Sequence, residues 1–316
     1  MEILVLGAGV SGLTTSLRLL AEGHSVRVWA KALPPATTSN VAAAVWYPYK
    51  AYPEDKVTAW GAVAYREFER LAGVAGSGVL LSEVLELLPA TMPDPWWVAA
   101  VSGFRRATPD QLPPGYADGW LFAAPVIEMP RYLGYLLRTL RERGGSIEER
   151  GAGSLGEALD ACSIVVNCTG LGARELCGDH DLHPSRGQVA RIRHNGFRRV
   201  VLDDYGPNSV AYIVPRVDDI VLGGTDVEGE ESTAIDPATT RDILRRCARL
   251  DPAFAGVTED DIVSEACGLR PVRSMVRLEA ERVAPGRLVI HNYGHGGAGV
   301  TLSWGCAAEV AALVAP

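Results

Sequence analysis

Two glycine-rich segments at opposite ends of the chain carry the residues best suited to hold a ligand through the backbone. One covers residues 294–299 (Gly-His-Gly-Gly-Ala-Gly) and the other residues 7–12 (Gly-Ala-Gly-Val-Ser-Gly). Glycine lets a ligand approach the main chain with no Cβ in the way. Each segment follows an apolar run and precedes a predicted helix, whose first N–H groups are unpaired hydrogen-bond donors. The two segments together predict one long ligand that is held at both ends.

The N-terminal segment has the spacing of a dinucleotide-binding turn. An apolar strand is predicted before it, and a helix and a second strand after it complete a βαβ unit. In such a unit Gly7 makes the tight turn, Gly9 lets a pyrophosphate approach and Gly12 lets the helix pack on the strand. Gly23 gives the helix a natural end. This context favours a dinucleotide over a glycine-rich turn that binds nothing.

One residue expected of such a unit is missing. An Asp or Glu normally ends the second strand and binds the ribose 2′-hydroxyl. This chain has Trp29, Ala30 and Lys31 at that place, and the next acidic residue is Glu54. Lys31 favours a 2′-phosphate, which keeps an NADP-dependent enzyme open as an alternative. A ribose held by backbone groups or by water is the other alternative.

Composition restricts the class of protein. The chain has 316 residues, of which 47% are hydrophobic, and a net charge of −8. Two globular domains fit this length, whereas a broad nucleic-acid-binding surface does not fit this charge. No apolar run has the length of a membrane span, and no leader is expected before the first strand, so we predict a cytoplasmic protein. The six cysteines form no C-x-x-C pair, which predicts free thiols and no metal site.

Periodicity along the rest of the chain predicts a mixed α/β fold. Helices are predicted at residues 57–72, 129–144, 154–161 and 236–250, and strands at residues 79–88 and 164–168. Residues 89–128, rich in Pro and Trp, predict a long irregular stretch with short strands. Within residues 186–225 the period becomes two, and residues 212–214 and 220–222 predict a hairpin. We therefore expect a parallel sheet from the termini and an antiparallel sheet from the middle of the chain.

Seven segments form a pattern when they are taken in order. They are residues 37–43 (Thr-Thr-Ser-Asn-Val-Ala-Ala), 46–49 (Trp-Tyr-Pro-Tyr), 166–170 (Val-Asn-Cys-Thr-Gly), 186–188 (Arg-Gly-Gln), 212–215 (Tyr-Ile-Val-Pro), 268–273 (Gly-Leu-Arg-Pro-Val-Arg) and 291–305, which contains the second glycine-rich segment. In sequence and in order these segments resemble the D-amino acid oxidases, a family of FAD-dependent enzymes. The resemblance covers the whole chain.

The resemblance implies a Rossmann-like FAD-binding domain and a substrate domain built on a mixed or antiparallel sheet. We predict the FAD-binding domain at residues 1–45, 126–184 and 265–316, and the substrate domain at residues 46–125 and 185–264. The implied reaction passes the α-hydrogen of a D-amino acid to the flavin as a hydride. The imino acid then hydrolyses to a 2-oxo acid and ammonia, and molecular oxygen reoxidises the flavin and yields hydrogen peroxide. We expect a neutral or apolar substrate, and a homodimer is compatible with the pattern.

The resemblance also assigns roles to individual residues. Arg270 is assigned to the substrate carboxylate, because a planar guanidinium forms two parallel hydrogen bonds that Lys cannot reproduce. Tyr212 bonds the same carboxylate, and the carbonyl of Gly297 accepts from the amino group. The residues assigned to the substrate pocket are Val45, Tyr47, Asn208 and Val214. The residues assigned to FAD are Gly7, Gly9, Val10, Ser11, Gly12, Ala30, Lys31, Thr37, Thr38, Ser39, Ala43, Ala44, Val165, Thr169, Gly170, Gly294, Gly296, Gly297, Gly299, Val300 and Thr301.

Three positions depart from the family pattern. Asn208 stands where the animal enzymes carry a tyrosine that covers the pocket, Tyr47 replaces a glutamine, and Lys31 replaces the acidic ribose ligand. These departures leave the substrate range open. D-aspartate, glycine or another small amine are alternative substrates, and Arg216 is the candidate partner for an aspartate side chain. A dinucleotide-binding protein without enzymatic activity is the alternative from a different class.

Overall fold

Two β-sheets organise the chain, which is seen here in a computed structural model that describes residues 1–314. Each sheet contains both parallel and antiparallel pairs, so the fold is the mixed α/β type that the sequence predicts. In chain order the strands are β1 (Glu2–Leu6), β2 (Ser25–Ala30), β3 (Val79–Leu88), β4 (Ser102–Arg106), β5 (Asp118–Ile127), β6 (Ser146–Glu149), β7 (Ile164–Asn167), β8 (His183–Arg193), β9 (Val200–Asp203), β10 (Ala211–Pro215), β11 (Asp219–Gly223), β12 (Val227–Glu228), β13 (Ile262–Val272), β14 (Arg277–Ala284) and β15 (Arg287–Tyr293). The helices are α1 (Val10–Ala21), α2 (Glu54–Ala72), α3 (Met129–Glu142), α4 (Leu155–Ala161), α5 (Ala173–Leu176), α6 (Pro237–Leu250) and α7 (Gly299–Val314).

The six-stranded sheet places three glycine-rich segments at one edge. Its order is β14-β15-β7-β1-β2-β6, and its strands from β15 to β6 run parallel. In the register of this sheet Leu6 pairs with Asn167, and Asn167 pairs with His291. The carboxyl ends of β1, β7 and β15 therefore lie side by side. Open α/β sheets bind ligands at this edge.

Helix α1 packs against α7, although the two lie at opposite ends of the chain. Thr14 Oγ1 donates to the carbonyl of Ser303 at 3.3 Å, and Asn292 Nδ2 donates to Thr15 Oγ1 at 3.1 Å. All four residues are buried, and paired polar groups avoid the cost of burial without a partner. This packing brings the two glycine-rich segments of the sequence analysis into one neighbourhood.

The nine-stranded sheet carries the hairpin that the sequence predicts. Its order is β12-β8-β11-β10-β9-β3-β5-β4, with β13 also paired to β8, and every pair is antiparallel except β3 with β9. In the hairpin of β10 and β11, Tyr212 lies opposite Gly223. Helix α6 covers one face, where Ile243 and Leu222 belong to the same apolar cluster. Val214 faces the other way and joins the core that the two sheets share.

The predicted helices are confirmed to within a few residues, but β5 is longer than the short strands that the sequence predicts. Residues 89–128 predict an irregular stretch with short strands, yet β5 has ten residues and pairs with β3 along its whole length. Pro125 argues against an inner strand because it has no N–H to donate. In the fold, the carbonyl of Pro125 accepts the N–H of Trp46 at 2.8 Å. Tertiary pairing therefore overrides the local preference.

The strands divide between the sheets close to the predicted domain boundaries. All strands of the six-stranded sheet fall in residues 1–45, 126–184 and 265–316. Strands β5, β8 and β13 belong to the nine-stranded sheet and run across three of the predicted boundaries. The division into two domains stays a prediction.

Two further observations concern the cysteines and the helices. All six cysteines are free thiols. Among residues 1–314, no helix combines the length and the apolar character that a bilayer span requires.

Candidate active site

The turn after β1 is so close to its neighbours that two positions accept only glycine. Gly7 has φ +107°, in the left-handed region, and a Cβ there would lie 2.4 Å from the carbonyl oxygen of Cys168. A Cβ on Gly12 would lie 2.0 Å from the carbonyl oxygen of Gly7. At Gly9, by contrast, a Cβ would meet only Ser39 Oγ, at 3.1 Å. Packing within the protein therefore does not account for glycine at position 9.

The N-terminus of α1 opens onto the same edge of the sheet. The N–H of Val10 donates to Ser39 Oγ at 3.0 Å, while Gly9 offers no side-chain cap and the first turn has no acidic residue. The positive end of the helix dipole thus has no carboxylate from its own first turn. A phosphate group fits this environment.

A cavity of about 710 Å³ runs along the edge. Its lining includes Lys31 and Gly151, which follow β2 and β6, the turn after β1, and Tyr212 and Arg270 of the nine-stranded sheet. The predicted cofactor residues that line it are Gly7, Gly9, Val10, Ser11, Ala30, Lys31, Thr37, Thr38, Ser39, Thr169, Gly170, Gly296, Gly297, Gly299 and Val300. Its volume is typical of ligand sites. A long dinucleotide with a central pyrophosphate fits the shape and the backbone donors.

The other residues predicted to bind the cofactor lie behind the cavity wall. They are Gly12, Ala43, Ala44, Val165, Gly294 and Thr301. Val165 is fully buried inside β7. Thr301 Oγ1 accepts the N–H of Tyr47 at 3.1 Å and donates to the carbonyl of Tyr47 at 2.9 Å. Thr301 thereby fixes the segment around Tyr47 to the first turn of α7.

One run of lining residues that escapes the sequence analysis lies at the end of β6. Gly151, Ala152 and Gly153 follow β6, which pairs in parallel with β2, and they line the cavity together with Lys31. A Cβ on Gly151 would lie 3.6 Å from Lys31 Cβ. Strand β6 reads Ser-Ile-Glu-Glu, too short and polar to be predicted from periodicity. A Gly-Ala-Gly run is the only signal of this part of the site.

Arg270 and Tyr212, which belong to the nine-stranded sheet, also line the cavity. The guanidinium of Arg270 lies on the backbone of Gly187, where a Cβ would be 2.6 Å from Nη1. Arg270 Nη1 donates to the carbonyl of Thr225 at 2.9 Å. The ring of Tyr212 lies over Gly223, where a Cβ would be 2.1 Å from Cζ. Both side chains therefore depend on a glycine neighbour for their position.

Asp226, which the sequence analysis misses, is an anion held beside Arg270. Its side chain is 6% exposed, and its Oδ1 lies 3.7 Å from Arg270 Nη1. It also accepts hydrogen bonds from Tyr49 Oη at 2.6 Å, from Lys50 Nζ at 2.5 Å and from Ser185. Burial acts to raise the pKa of Asp226, but these hydrogen bonds outweigh burial and lower it. Asp226 follows β11 with no spacing pattern that marks it.

Asn208 does not form a wall of the pocket, contrary to the prediction. Its Nδ2 donates to Tyr116 Oη at 3.0 Å, and its Oδ1 accepts from Arg249 at 3.4 Å, on the face of the sheet that α6 covers. Asp203 fixes this orientation, because its carboxylate accepts the N–H of Asn208 at 2.9 Å. The residue four positions before Tyr212 therefore lies on the face of the nine-stranded sheet that α6 covers, and not on the face that carries Tyr212.

The other predicted pocket residues lie around the segment that follows β2. Val45 forms an isolated bridge with Val126, and Val214 is fully buried. Tyr47 is 8% exposed, and burial raises its pKa well above the ordinary value. Like Asn208, these three residues are not among those that line the cavity, so their assignment to the substrate pocket stays a prediction.

Arg216, the candidate partner for an acidic side chain, is already paired. Its side chain is 1% exposed, and it bonds the Asp219 carboxylate at 2.6 Å and 2.5 Å. A further hydrogen bond joins it to the carbonyl of Ala43 at 3.3 Å. The charge of Arg216 is therefore satisfied within the protein.

Comparisons with known proteins agree with this geometry. A family model described as FAD dependent oxidoreductase matches residues 2–313. A D-amino-acid oxidase of Rubrobacter xylanophilus is 52% identical over 98% of this chain and 94% of its own length. A human D-aspartate oxidase is 35% identical over 99% of this chain and 94% of its own length. Among solved structures, glycine oxidase from Geobacillus kaustophilus has a TM-score of 0.78 at 18% identity and covers 99% of this chain and 94% of its own.

Proposed function

We propose, from the premise that the chain belongs to the family of FAD-dependent oxidoreductases, that it catalyses the oxidative deamination of D-amino acids. FAD is its cofactor. The proposed products are a 2-oxo acid, ammonia and hydrogen peroxide, with molecular oxygen as the electron acceptor. Neutral and apolar D-amino acids are the first expected substrates. The observation that carries the proposal is that Arg270 and Tyr212 line the same cavity as the glycine-rich turn after β1, which fits FAD.

Arg270 is proposed to bind the substrate carboxylate. A carboxylate that enters the cavity loses water, which is costly unless its charge is paired. The guanidinium can form two parallel hydrogen bonds with it, and its contacts with Gly187 and Thr225 orient it in advance. Tyr212 adds a second donor, because burial raises the pKa of Tyr212 and its hydroxyl keeps its proton.

The segment that contains Gly297 is proposed to receive the amino group. A Cβ on Gly296 would lie 2.1 Å from the carbonyl oxygen of Lys50, and a Cβ on Gly297 would lie 2.5 Å from Tyr49 Cδ1. The segment is therefore packed tightly enough to hold the Gly297 carbonyl in one place as an acceptor. Bound FAD supplies the redox chemistry, since the flavin takes up the α-hydrogen of the substrate with its electron pair. The contribution of the chain is to orient the substrate for that transfer.

The alternatives from the sequence have less support. Arg216 is engaged with Asp219, so it is not free to pair with a D-aspartate side chain. The likeness to glycine oxidase concerns the fold, at 18% identity. The NADP alternative depends on Lys31 in place of an acidic residue. Lys31 lines the same cavity that is assigned here to FAD, so its position does not call for a different dinucleotide.

We also propose that the protein is cytoplasmic, that it forms a homodimer, and that each subunit has the two predicted domains. Free cysteines are typical of a reducing compartment. The division of the strands between two sheets supports domain boundaries near residues 45, 125, 184 and 264. Light scattering on the purified holoprotein tests the dimer.

Anaerobic reduction of the bound flavin tests the proposed activity. The purified holoprotein is mixed with D-alanine, D-methionine or D-valine without oxygen, and the visible flavin absorbance is followed. We expect bleaching by the D-amino acids and none by the L-enantiomers, then recovery with hydrogen peroxide when air enters. A fully loaded flavoprotein that no D-amino acid bleaches contradicts the proposal.

A further inference from the structure

We infer that a second cavity, which lies between α1, α2, α3 and α7, binds a small aromatic phosphate monoester. It is here called the arginine pocket, after Arg18, Arg66, Arg70 and Arg143, which line it together with Trp304. None of its lining residues lines the cavity assigned to FAD. The arginine pocket is therefore a separate site, and the inference does not depend on the proposed oxidase reaction.

Whole faces of the helices form the arginine pocket. Helix α2 contributes positions 63, 66, 67, 70 and 71, and α3 with the residue that ends it contributes positions 135, 139 and 143. Spacings of three and four residues place side chains on one face of a helix. The pocket is thus a product of helix packing and not of a surface loop.

The lining of the arginine pocket is basic, although the chain as a whole is acidic. It contains four arginines and one glutamate, whereas the net charge of the chain is −8. Two of the arginines already have partners. Arg70 donates to both carboxylate oxygens of Glu67, at 2.7 Å and 3.0 Å. Arg18 lies 2.8 Å from the carboxylate of Glu22.

Arg66 and Arg143 have no such partner. Within residues 1–314 neither guanidinium forms an ion pair or a hydrogen bond. Arg66 belongs to α2 and Arg143 ends α3, so two unpaired cations from different helices line one cavity. A phosphate monoester carries nearly two negative charges at neutral pH, and arginine binds phosphate through parallel hydrogen bonds. One phosphate group can therefore neutralise both cations.

An apolar and aromatic surface lies beside these charges. Leu17 and Leu71 are almost fully buried, yet both line the arginine pocket together with Tyr135. The indole of Trp304 is held in place because its Nε1 donates to Tyr132 Oη at 2.8 Å. Aromatic side chains pack well against another ring. The cavity volume of about 320 Å³ is at the lower end of the range for ligand sites, so we expect a ligand body of one or two rings.

Calorimetric titration of the FAD-loaded protein with 1-naphthyl phosphate tests the inference. We expect one molecule to bind per chain. Inorganic phosphate and 1-naphthol should each bind roughly tenfold or more weakly, because each lacks one half of the proposed recognition. Arg66→Gln and Arg143→Gln should each raise the Kd for 1-naphthyl phosphate roughly tenfold, since a hydrogen bond to a charged group is worth about that factor. Both side chains are exposed and unpaired, so both variants should fold.

Arg141→Gln is the matched control, because Arg141 is an exposed arginine of α3 that does not line the arginine pocket. It should change the Kd less than about twofold. Arg270→Ala should also keep the wild-type Kd, because Arg270 lines the other cavity.

Four results would overturn the inference. They are no detectable binding of 1-naphthyl phosphate to the wild-type protein, equally tight binding of inorganic phosphate or 1-naphthol, an unchanged Kd in either Arg66→Gln or Arg143→Gln, and loss of binding in Arg270→Ala. The last result would place the probe at the proposed substrate site. None of the four bears on the proposed oxidase activity, which the reduction of the flavin by D-amino acids tests separately.

Discussion

Arg270 Nη1 lies 3.7 Å from Asp226 Oδ1, so the cation proposed to bind the substrate carboxylate already has an anion of the protein beside it. Lys50 Nζ lies 2.5 Å from the other oxygen of Asp226 and supplies a second cation. Lys50 Nζ also pairs with Glu228 Oε1 at 2.7 Å, so two cations face two carboxylates before the substrate binds. Asp226 thus has two opposite effects, because it holds Arg270 in place and repels a bound carboxylate.

Two substitutions at Asp226 separate these effects. Asp226→Asn removes the charge and keeps a group of the same shape that can still accept from Tyr49, so we expect the KM for D-methionine to fall by roughly two- to tenfold. Asp226→Ala removes the group altogether and leaves Tyr49 and Lys50 without this partner, so we expect KM to rise. Steady-state kinetics on both holoproteins checks the pair. Equal changes of KM in the same direction in both variants would contradict the view that Asp226 repels the substrate through its charge and supports Arg270 through its hydrogen bonds.

FAD retention should depend on Gly9. The backbone there is compatible with a side chain, and a Cβ would meet only Ser39 Oγ at 3.1 Å. Gly9→Val should therefore leave a folded protein whose new methyl groups occupy the space assigned to the pyrophosphate. We expect most of the flavin to be lost, measured as the ratio of absorbance at the flavin band to that at 280 nm. Gly134→Val, where a Cβ would meet nothing within 4 Å, is the control; full flavin content in Gly9→Val would reject the assignment.

Asp204 should make the fold less stable as pH rises. Burial, followed by the charges of Asp203 and Asp226, raises the pKa of Asp204 to about 7, against about 3.9 in an unfolded chain. Between these values the folded state binds more protons, so the contribution of Asp204 is complete below about pH 4 and is lost as pH rises through 7. Asp204→Asn should flatten this part of the profile. Urea unfolding at pH 5.5 and pH 8 measures it, and an unchanged difference between the two pH values in the variant would contradict the account.

D-aspartate should be a poor substrate. Arg216 is engaged with Asp219, so its guanidinium is not free to pair with the side-chain carboxylate of D-aspartate. We therefore expect kcat/KM for D-aspartate to lie below the values for D-alanine, D-methionine and D-valine. A higher kcat/KM for D-aspartate would contradict this prediction, and Arg216 would then be the first residue to re-examine.

Local signals were sufficient to predict the framework of the site. Gly7 and Gly12 could be assigned because the G-x-G-x-x-G turn is a contiguous pattern with a steric cause. Tyr212 could be placed on a hairpin because the alternation of polar and apolar residues continues through residues 212–222. In each case the information lies within a few positions of the chain.

The residues that escaped prediction owe their roles to long-range pairing. Asp226 matters because β8 and β13 bring Ser185 and Arg270 next to it. Asn208 points away from the pocket because Asp203 binds its backbone N–H. No local pattern encodes these contacts, since strand order and register are set by the whole sheet.

Arg273 serves as the internal control for the proposed role of Arg270. Its spacing predicts the opposite face of a strand, but β13 ends at Val272, and Arg273 instead donates to Asp179 at 3.0 Å. The Asp179 side chain is 7% exposed, so Arg273→Ala should lower thermal stability. It should change kcat/KM much less than Arg270→Ala. Arg270→Lys should recover only part of the activity, because an ammonium lacks the two-pronged geometry.

The most direct test of the account is kcat/KM for D-methionine in Arg270→Ala, measured together with its flavin content. Breaking a buried charge pair costs about 3–5 kcal/mol, and about 1.4 kcal/mol corresponds to a factor of ten. We predict a loss of roughly 10²–10⁴-fold with the flavin fully retained. A loss of less than about threefold in a fully loaded variant, or a larger loss in Arg273→Ala at unchanged flavin content, would contradict the assignment of Arg270 to the substrate carboxylate.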